Sequence, residues 1–270
     1  MNRSSLAVIG VGNMAKAIIS GINSTEPKPI SDIVLFDINT EQYSSVLCDN
    51  VSSADTAANA VERSDVVLIS VKPQNYSEIL SEIKSASGYQ NKLYISIGAG
   101  ISTDFIKEEL GEVSVVRVLP NLPMVIGKGV SAVCRNDTVS DDDFLLVERI
   151  FSSAGSIVLI DECEMNRIIG VTSSSPAYVF KFIDAICKGA EAQGISSDSL
   201  LDVVCDMVIG ATLLLKESDL SAKELISRVA SKGGTTERAL SSLEADGFDT
   251  MIADAMIACT ARADELGKAK

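Results

Sequence analysis

Residues 10–15 of this 270-residue chain read Gly10-Val11-Gly12-Asn13-Met14-Ala15, types and spacing suited to holding a pyrophosphate. Gly10 permits a tight turn, Gly12 keeps a side chain out of an anion's way, and Ala15 lets a helix pack closely on a strand. The apolar run at 6–9 before the turn and the helix-period segment after it supply the required context, in which free N–H groups and the helix dipole face the anion. A dinucleotide held by Gly10, Gly12, Asn13, Met14 and Ala15 is therefore expected, the bland reading being a structural turn. The next apolar run, 33–36, ends in Asp37, 25 residues after Gly12. A carboxylate there suits ribose hydroxyls and repels a ribose phosphate, which favours NADH. Asn39 and Thr40 are neutral donors that would admit the phosphate of NADPH, and Asp37 could also simply cap a helix.

A second group of residues lies in the C-terminal half. Gly233 and Gly234 permit a backbone nest whose N–H groups grip a carboxylate, with Thr235 and Thr236 opening the following helix; an ordinary capped loop is the alternative.

These residues need elements to position them. Short β-branched runs at 6–9, 33–36, 66–71, 93–97, 113–119, 130–134 and 157–160 alternate with helix-period segments, the βαβ pattern. Most are continuously apolar, as in strands of a parallel sheet covered on both faces, so a doubly wound Rossmann-type sheet is expected over 1–161. Beyond Asp161 the β-branched runs stop, and residues 162–270 read as helices of about 10 to 20 residues separated by short breaks. The fold class is thus α/β, with an all-α C-terminal domain. Its last helix, about 249–266, puts Ile252, Ala255, Cys259 and Ala263 on one stripe, widened by Met251, Met256 and Ile257. So much apolar helix in a short segment is most easily buried by two intertwined copies, an obligate homodimer; an intrachain core helix is the alternative.

Composition narrows the partners. A formal charge of −14 with no Lys/Arg cluster argues against nucleic acid and anionic membranes, and favours a small molecule. No apolar run reaches the length of a membrane span. Six scattered cysteines without a C-x-x-C pair, in a chain with no histidine, give no zinc or iron–sulfur pattern; they read as core residues of a cytoplasmic protein.

Taken in order, the motifs resemble the pyrroline-5-carboxylate reductase family, which makes proline by reducing a cyclic imine with NADPH or NADH. They are the Gly10 to Ala15 turn, Val71-Lys72-Pro73-Gln74, Pro120-Asn121-Leu122-Pro123, Ser175-Pro176-Ala177-Tyr178, and Ser231-Lys232-Gly233-Gly234-Thr235-Thr236 followed by Ala239-Leu240. Further on, Gly247-Phe248 leads into Asp254-Ala255 and Arg262, so the likeness spans nearly the whole chain. It implies that Val71, Lys72 and Pro73 touch the cofactor and that Asn121 lies beside the nicotinamide. It also implies that Ser174, Ser175 and Pro176, with Gly233, Gly234 and Thr235, surround a cyclic imino acid whose ring nitrogen meets Thr236. Bland readings exist for several: Lys72-Pro73 as a strand end and helix start, Pro120 and Pro123 as loop stiffeners, and Ser173, Ser174 and Ser175 as an N-cap run.

Three departures stand out. Ser173 and Ser175 occupy positions where the family alternates in glycine, so their side chains could crowd the substrate; Lys232 replaces proline; and an upstream acid matches only loosely to Glu217 or Asp219, neither of which is assigned. Two rivals are a β-hydroxyacid dehydrogenase, for which Lys181 or Lys188 would have to serve as acid–base group, and a non-catalytic cofactor-binding homologue. Assembly of dimers into a larger ring is left open.

Overall fold

The computed structural model describes residues 4–43 and 46–268. Its elements in chain order are β1 (Ser5–Ile9), α1 (Asn13–Ser24), β2 (Asp32–Phe36), β3 (Val51–Ser53), α2 (Ala57–Glu62), β4 (Val66–Ile69), α3 (Tyr76–Ile83), β5 (Leu93–Ser96), α4 (Thr103–Leu110), β6 (Ser114–Leu119), β7 (Gly129–Arg135), α5 (Asp141–Ser152) and β8 (Gly155–Leu159). Helices follow: α6 (Met165–Ile168), α7 (Ser175–Ala192), α8 (Leu200–Glu217), α9 (Ala222–Val229), α10 (Thr235–Ala245) and α11 (Phe248–Lys268). The chain forms two compact units, one running to Pro176 and resuming at Ile257, the other Ala177–Met256.

In the first unit a sheet has the order β3-β2-β1-β4-β5-β6-β7-β8. The reversal at β1, flanked by β2 and β4, is the topological switch at which such sheets open a crevice beyond their strand ends. Every residue of β4 and β5 is buried, as a strand covered on both faces requires. Alternate β1 side chains enter opposite cores. Leu6 and Val8 pack with Ile18, Ile22 and Phe151 of α1 and α5; Ala7 and Ile9 pack with Ala57, Leu80 and Ile106 of α2, α3 and α4.

Two features differ from the sequence reading. β3 is a short edge strand with two serines, and only its Val51 is buried, too little apolar signal to be read. β7 pairs antiparallel with β6, so β7 and the edge strand β8 run against the other strands. The cause is connection length: residues 120–128 between β6 and β7 are too few for a crossover helix, whereas α5 provides one between β7 and β8.

α11 is expected to present a stripe of small residues, and its C-terminal part uses that stripe on its own sheet. Ala263 is buried with Leu119, Ala132, Cys134 and Met165. Gly100, at φ +74°, comes so close that a Cβ there would lie 2.7 Å from the Ala263 carbonyl oxygen. A polar chain ties the same region: buried Arg117 on β6 donates to Asn166 (2.6 Å), which donates to Asp264 (2.7 Å). The cysteines differ from the expectation of core burial. Cys134 is buried, its thiol pushed up to about 12 by burial, but Cys48 and Cys163 are exposed, the first in the loop before β3 and the second in a 3-10 turn before α6.

Candidate active site

The turn after β1 is built as its residue types require. Gly10 adopts φ +91°, and a Cβ on it would lie 2.8 Å from the Ser70 carbonyl oxygen, so the ends of β1 and β4 meet there. Ser70 N–H donates to Ile9 O and Gly10 N–H to Phe36 O, each at 2.8 Å, locking the turn to both neighbouring strands. Gly12 faces open space, where a side chain would project into the crevice. Ala15 is fully buried against the sheet.

α1 begins at this point without a side-chain cap and with no acid in its first turn. By contrast α2, α4 and α5 are capped by the hydroxyls of Thr56, Ser102 and Ser140. Unpaired N–H groups at the positive end of a helix dipole attract an anion, so α1 offers a helix start suited to a pyrophosphate.

Two cavities open on either side of Gly12, sharing Gly12, Ser70 and Val71. The first, about 400 Å³, lies beyond β2 and is lined also by Gly10, Asp37, Lys72, Asn75, Glu78 and Glu82. The second, about 310 Å³, is lined by Asn13, Met14, Ile97, Ala99, Leu119, Pro120, Ile169 and Ser173. Together they suit the two halves of a dinucleotide, with the phosphates at Gly12. Among the described residues these walls join Gly10, Gly12, Asn13, Met14, Asp37, Val71 and Lys72; Ala15 and Pro73 line neither cavity. Pro73 holds the first position of a 3-10 turn that leads into α3, with Lys72 preceding it.

Asp37 is half-buried and has two tasks. Its Oδ2 accepts from Val11 N–H (2.6 Å) and its Oδ1 from Asn39 N–H (2.8 Å), bracing the glycine turn while the carboxylate still lines the first cavity. Tyr43 Oη accepts from Asp37 N–H and donates to Asp37 O, which pins the end of β2. Glu78 and Glu82, which sequence reasoning missed, add negative charge to the same cavity.

Asn121 is buried behind the second cavity. Its Nδ2 donates to Thr172 O (2.9 Å), and its Oδ1 accepts from Val130 N–H (2.8 Å), so it braces the loop after β6. Ser174 Oγ lies 3.1 Å from Cys259 Sγ, Ser175 Oγ donates to Val171 O, and Pro176 is half-buried beside them. The serine that enters a cavity wall is the neighbouring Ser173. The strand-end rule marks Ser70 and Ile97, which directly follow β4 and β5, and Leu119, which ends β6, but no local signal distinguishes Ser173 from its neighbours.

In the second unit Gly233 adopts φ +73°, and a Cβ on Gly234 would strike Ser231, which explains both glycines. Gly234 N–H donates to Ser231 O (2.9 Å), and Gly233 N–H donates to the Glu237 carboxylate (2.6 Å). An internal carboxylate thus occupies part of the expected nest. Thr235 and Thr236 open α10, where the first N–H groups have no intrahelical acceptor; Thr235 is exposed and Thr236 half-buried.

Residues 5–100 match the family model for NADP oxidoreductase, coenzyme F420-dependent, and residues 162–266 match that for pyrroline-5-carboxylate reductase dimerisation. The pyrroline-5-carboxylate reductase of Haemophilus influenzae is 32% identical over 98% of both chains. The crystal structure of Plasmodium falciparum pyrroline carboxylate reductase with NADP bound superposes with a TM-score of 0.89 at 26% identity, covering 99% of each chain. That of the Streptococcus pyogenes 1-pyrroline-5-carboxylate reductase gives 0.89 at 27%, covering 98% of this chain and 100% of that one. A glycine turn built for a dinucleotide, with relatives matching from end to end, selects one of the readings open at the sequence: the chain belongs to the pyrroline-5-carboxylate reductase family.

Proposed function

We propose that this protein reduces L-1-pyrroline-5-carboxylate to L-proline with NADH or NADPH. The observation that carries the reading is the pair of cavities joined at Gly12, where an uncapped helix start meets the switch point of the sheet. Gly10, Gly12, Asn13, Met14, Val71, Lys72 and Pro73 would hold the dinucleotide, with Asp37 at the ribose. The bound reduced nicotinamide supplies a hydride to the imine carbon.

The chain's own residues have little acid–base work to do, because an imine that arrives protonated is already electrophilic. Orientation supplies most of the acceleration, worth about 7–11 kcal/mol in well-aligned systems. Thr236 is assigned as the hydrogen-bond partner of the substrate ring nitrogen, its hydroxyl oxygen accepting from the protonated imine N–H. The substrate carboxylate is received at the start of α10, by Thr235 and the Gly233-Gly234 loop, with Glu237 giving way. Ser174, Ser175 and Pro176 shape the wall of the substrate site, and Asn121 acts by holding the loop after β6. On this reading residues 1–161 bind cofactor and 162–270 dimerise and complete the substrate site, in the cytoplasm.

Dimerisation has support in burial. Across 177–256, Val204 is the only buried residue, while Phe180, Val203, Met207 and Leu214 are exposed. Helices this apolar need a second copy to cover them. The activity is tested by following each reduced cofactor spectroscopically with pyrroline-5-carboxylate as acceptor. Oxidation dependent on that acceptor is expected; cofactor binding without oxidation would instead favour a non-catalytic homologue.

A further inference from the structure

The three serines at 173–175 differ in what their hydroxyls meet. Those of Ser174 and Ser175 are engaged, with Cys259 and with Val171 O. The Ser173 hydroxyl is buried and, among the described residues, has no hydrogen-bond partner. Its backbone is fixed: Ser173 N–H donates to Ile169 O (3.1 Å), and the adjacent Thr172 O accepts from Asn121. The orphan hydroxyl is therefore a built feature of an ordered segment.

Ser173 also stands in the wall of the second cavity, otherwise mostly apolar through Met14, Ile97, Leu119 and Ile169. Buried polar groups are almost always paired, and a hydroxyl can donate one hydrogen bond and accept others. A ligand group that both donates and accepts would complete it. The nicotinamide carboxamide is such a group, on the half of the cofactor that fits this cavity.

We propose that Ser173 orients the nicotinamide by hydrogen-bonding its carboxamide. The inference rests on the dinucleotide reading above. It also turns a serine that the sequence marks as an obstruction into a cofactor contact.

The test compares NADH, NADPH and ADP-ribose, which lacks the nicotinamide, in wild type and in Ser173→Ala and Ser173→Gly. Dissociation constants by titration are expected to rise about tenfold for the dinucleotides, or ~1.4 kcal/mol, and to stay unchanged for ADP-ribose. The thermal midpoint of the ligand-free Ser173→Ala protein is expected to be no lower than wild type, since the substitution removes an unpaired buried hydroxyl. Equal weakening of all three ligands, unchanged dinucleotide affinity, or a lowered midpoint would each overturn the role of Ser173. A wild-type protein that binds neither dinucleotide would overturn the underlying reading as well.

Discussion

Asp37 braces the glycine turn through Val11 N–H and at the same time presents negative charge to the first cavity, where the proposed function puts the ribose. With Glu78 and Glu82 nearby and Lys72 the only cation among the described residues of that wall, a ribose 2′-phosphate bound there would meet net repulsion. NADH is accordingly the expected preference. Asp37→Ser should raise the ratio of kcat/KM for NADPH over NADH about tenfold, ~1.4 kcal/mol, read by steady-state kinetics with both cofactors. An unchanged ratio would remove Asp37 from cofactor choice. On the proposed function Thr236 acts at the other reactant: Thr236→Ala should lower kcat about a hundredfold, within the roughly 2.7–4 kcal/mol typical of one lost orienting hydrogen bond, with cofactor affinity near normal. If the substrate carboxylate is received at Gly233 as proposed, the Glu237 carboxylate competes with it, so Glu237→Ala should lower the KM for pyrroline-5-carboxylate several-fold, at a cost of about 0.3–1 kcal/mol in the N-terminal stability of α10. A raised KM would show that Glu237 assists substrate binding.

Elements hold these residues in place through contacts that a sequence reveals unevenly. The β1 turn was legible because its glycines, flanking strand and following helix are contiguous, and Asp37 because it ends the next apolar run. The reversal of β7 and β8, the edge strand β3 and the return of α11 to the sheet were not, since each depends on partners distant in sequence or on a strand with one buried residue. Gly100 against Ala263 is such a contact. Gly100→Ala combines strain at φ +74° with a clash against α11 and should destabilise the first unit by about 2–4 kcal/mol in denaturant unfolding. Asp65 ties the start of β4 to β1. Burial raises its pKa, but hydrogen bonds from Ser4 N–H, the Ser5 hydroxyl and Ser5 N–H outweigh it and hold the carboxyl below its ordinary 3.8. A depressed folded pKa contributes stability above the unfolded value, lost as pH falls through the folded one. The stability gap between wild type and Asp65→Asn should therefore be constant near neutrality and shrink below about pH 4. A gap independent of pH would contradict it.

At the scale of the whole molecule, the nearly unburied helices of 177–256 make a lone chain an unfavourable species. Sedimentation should give a dimer or a multiple of one, and Leu214→Glu, at a position 58% exposed in the single chain, should shift the protein toward monomer or precipitate. On the proposed function, the Gly12 turn and the Thr236 helix start serve one reaction. The most direct test of this claim is the rate at which NADH or NADPH is oxidised by pyrroline-5-carboxylate in wild type, Gly12→Val and Thr236→Ala. Wild type should turn over; Gly12→Val, whose Cβ would meet nothing within 4 Å in the fold, should lose cofactor binding and activity together; and Thr236→Ala should bind cofactor but turn over about a hundredfold more slowly. Wild-type rates in either variant, or a wild type that binds cofactor and never oxidises it, would contradict the claim.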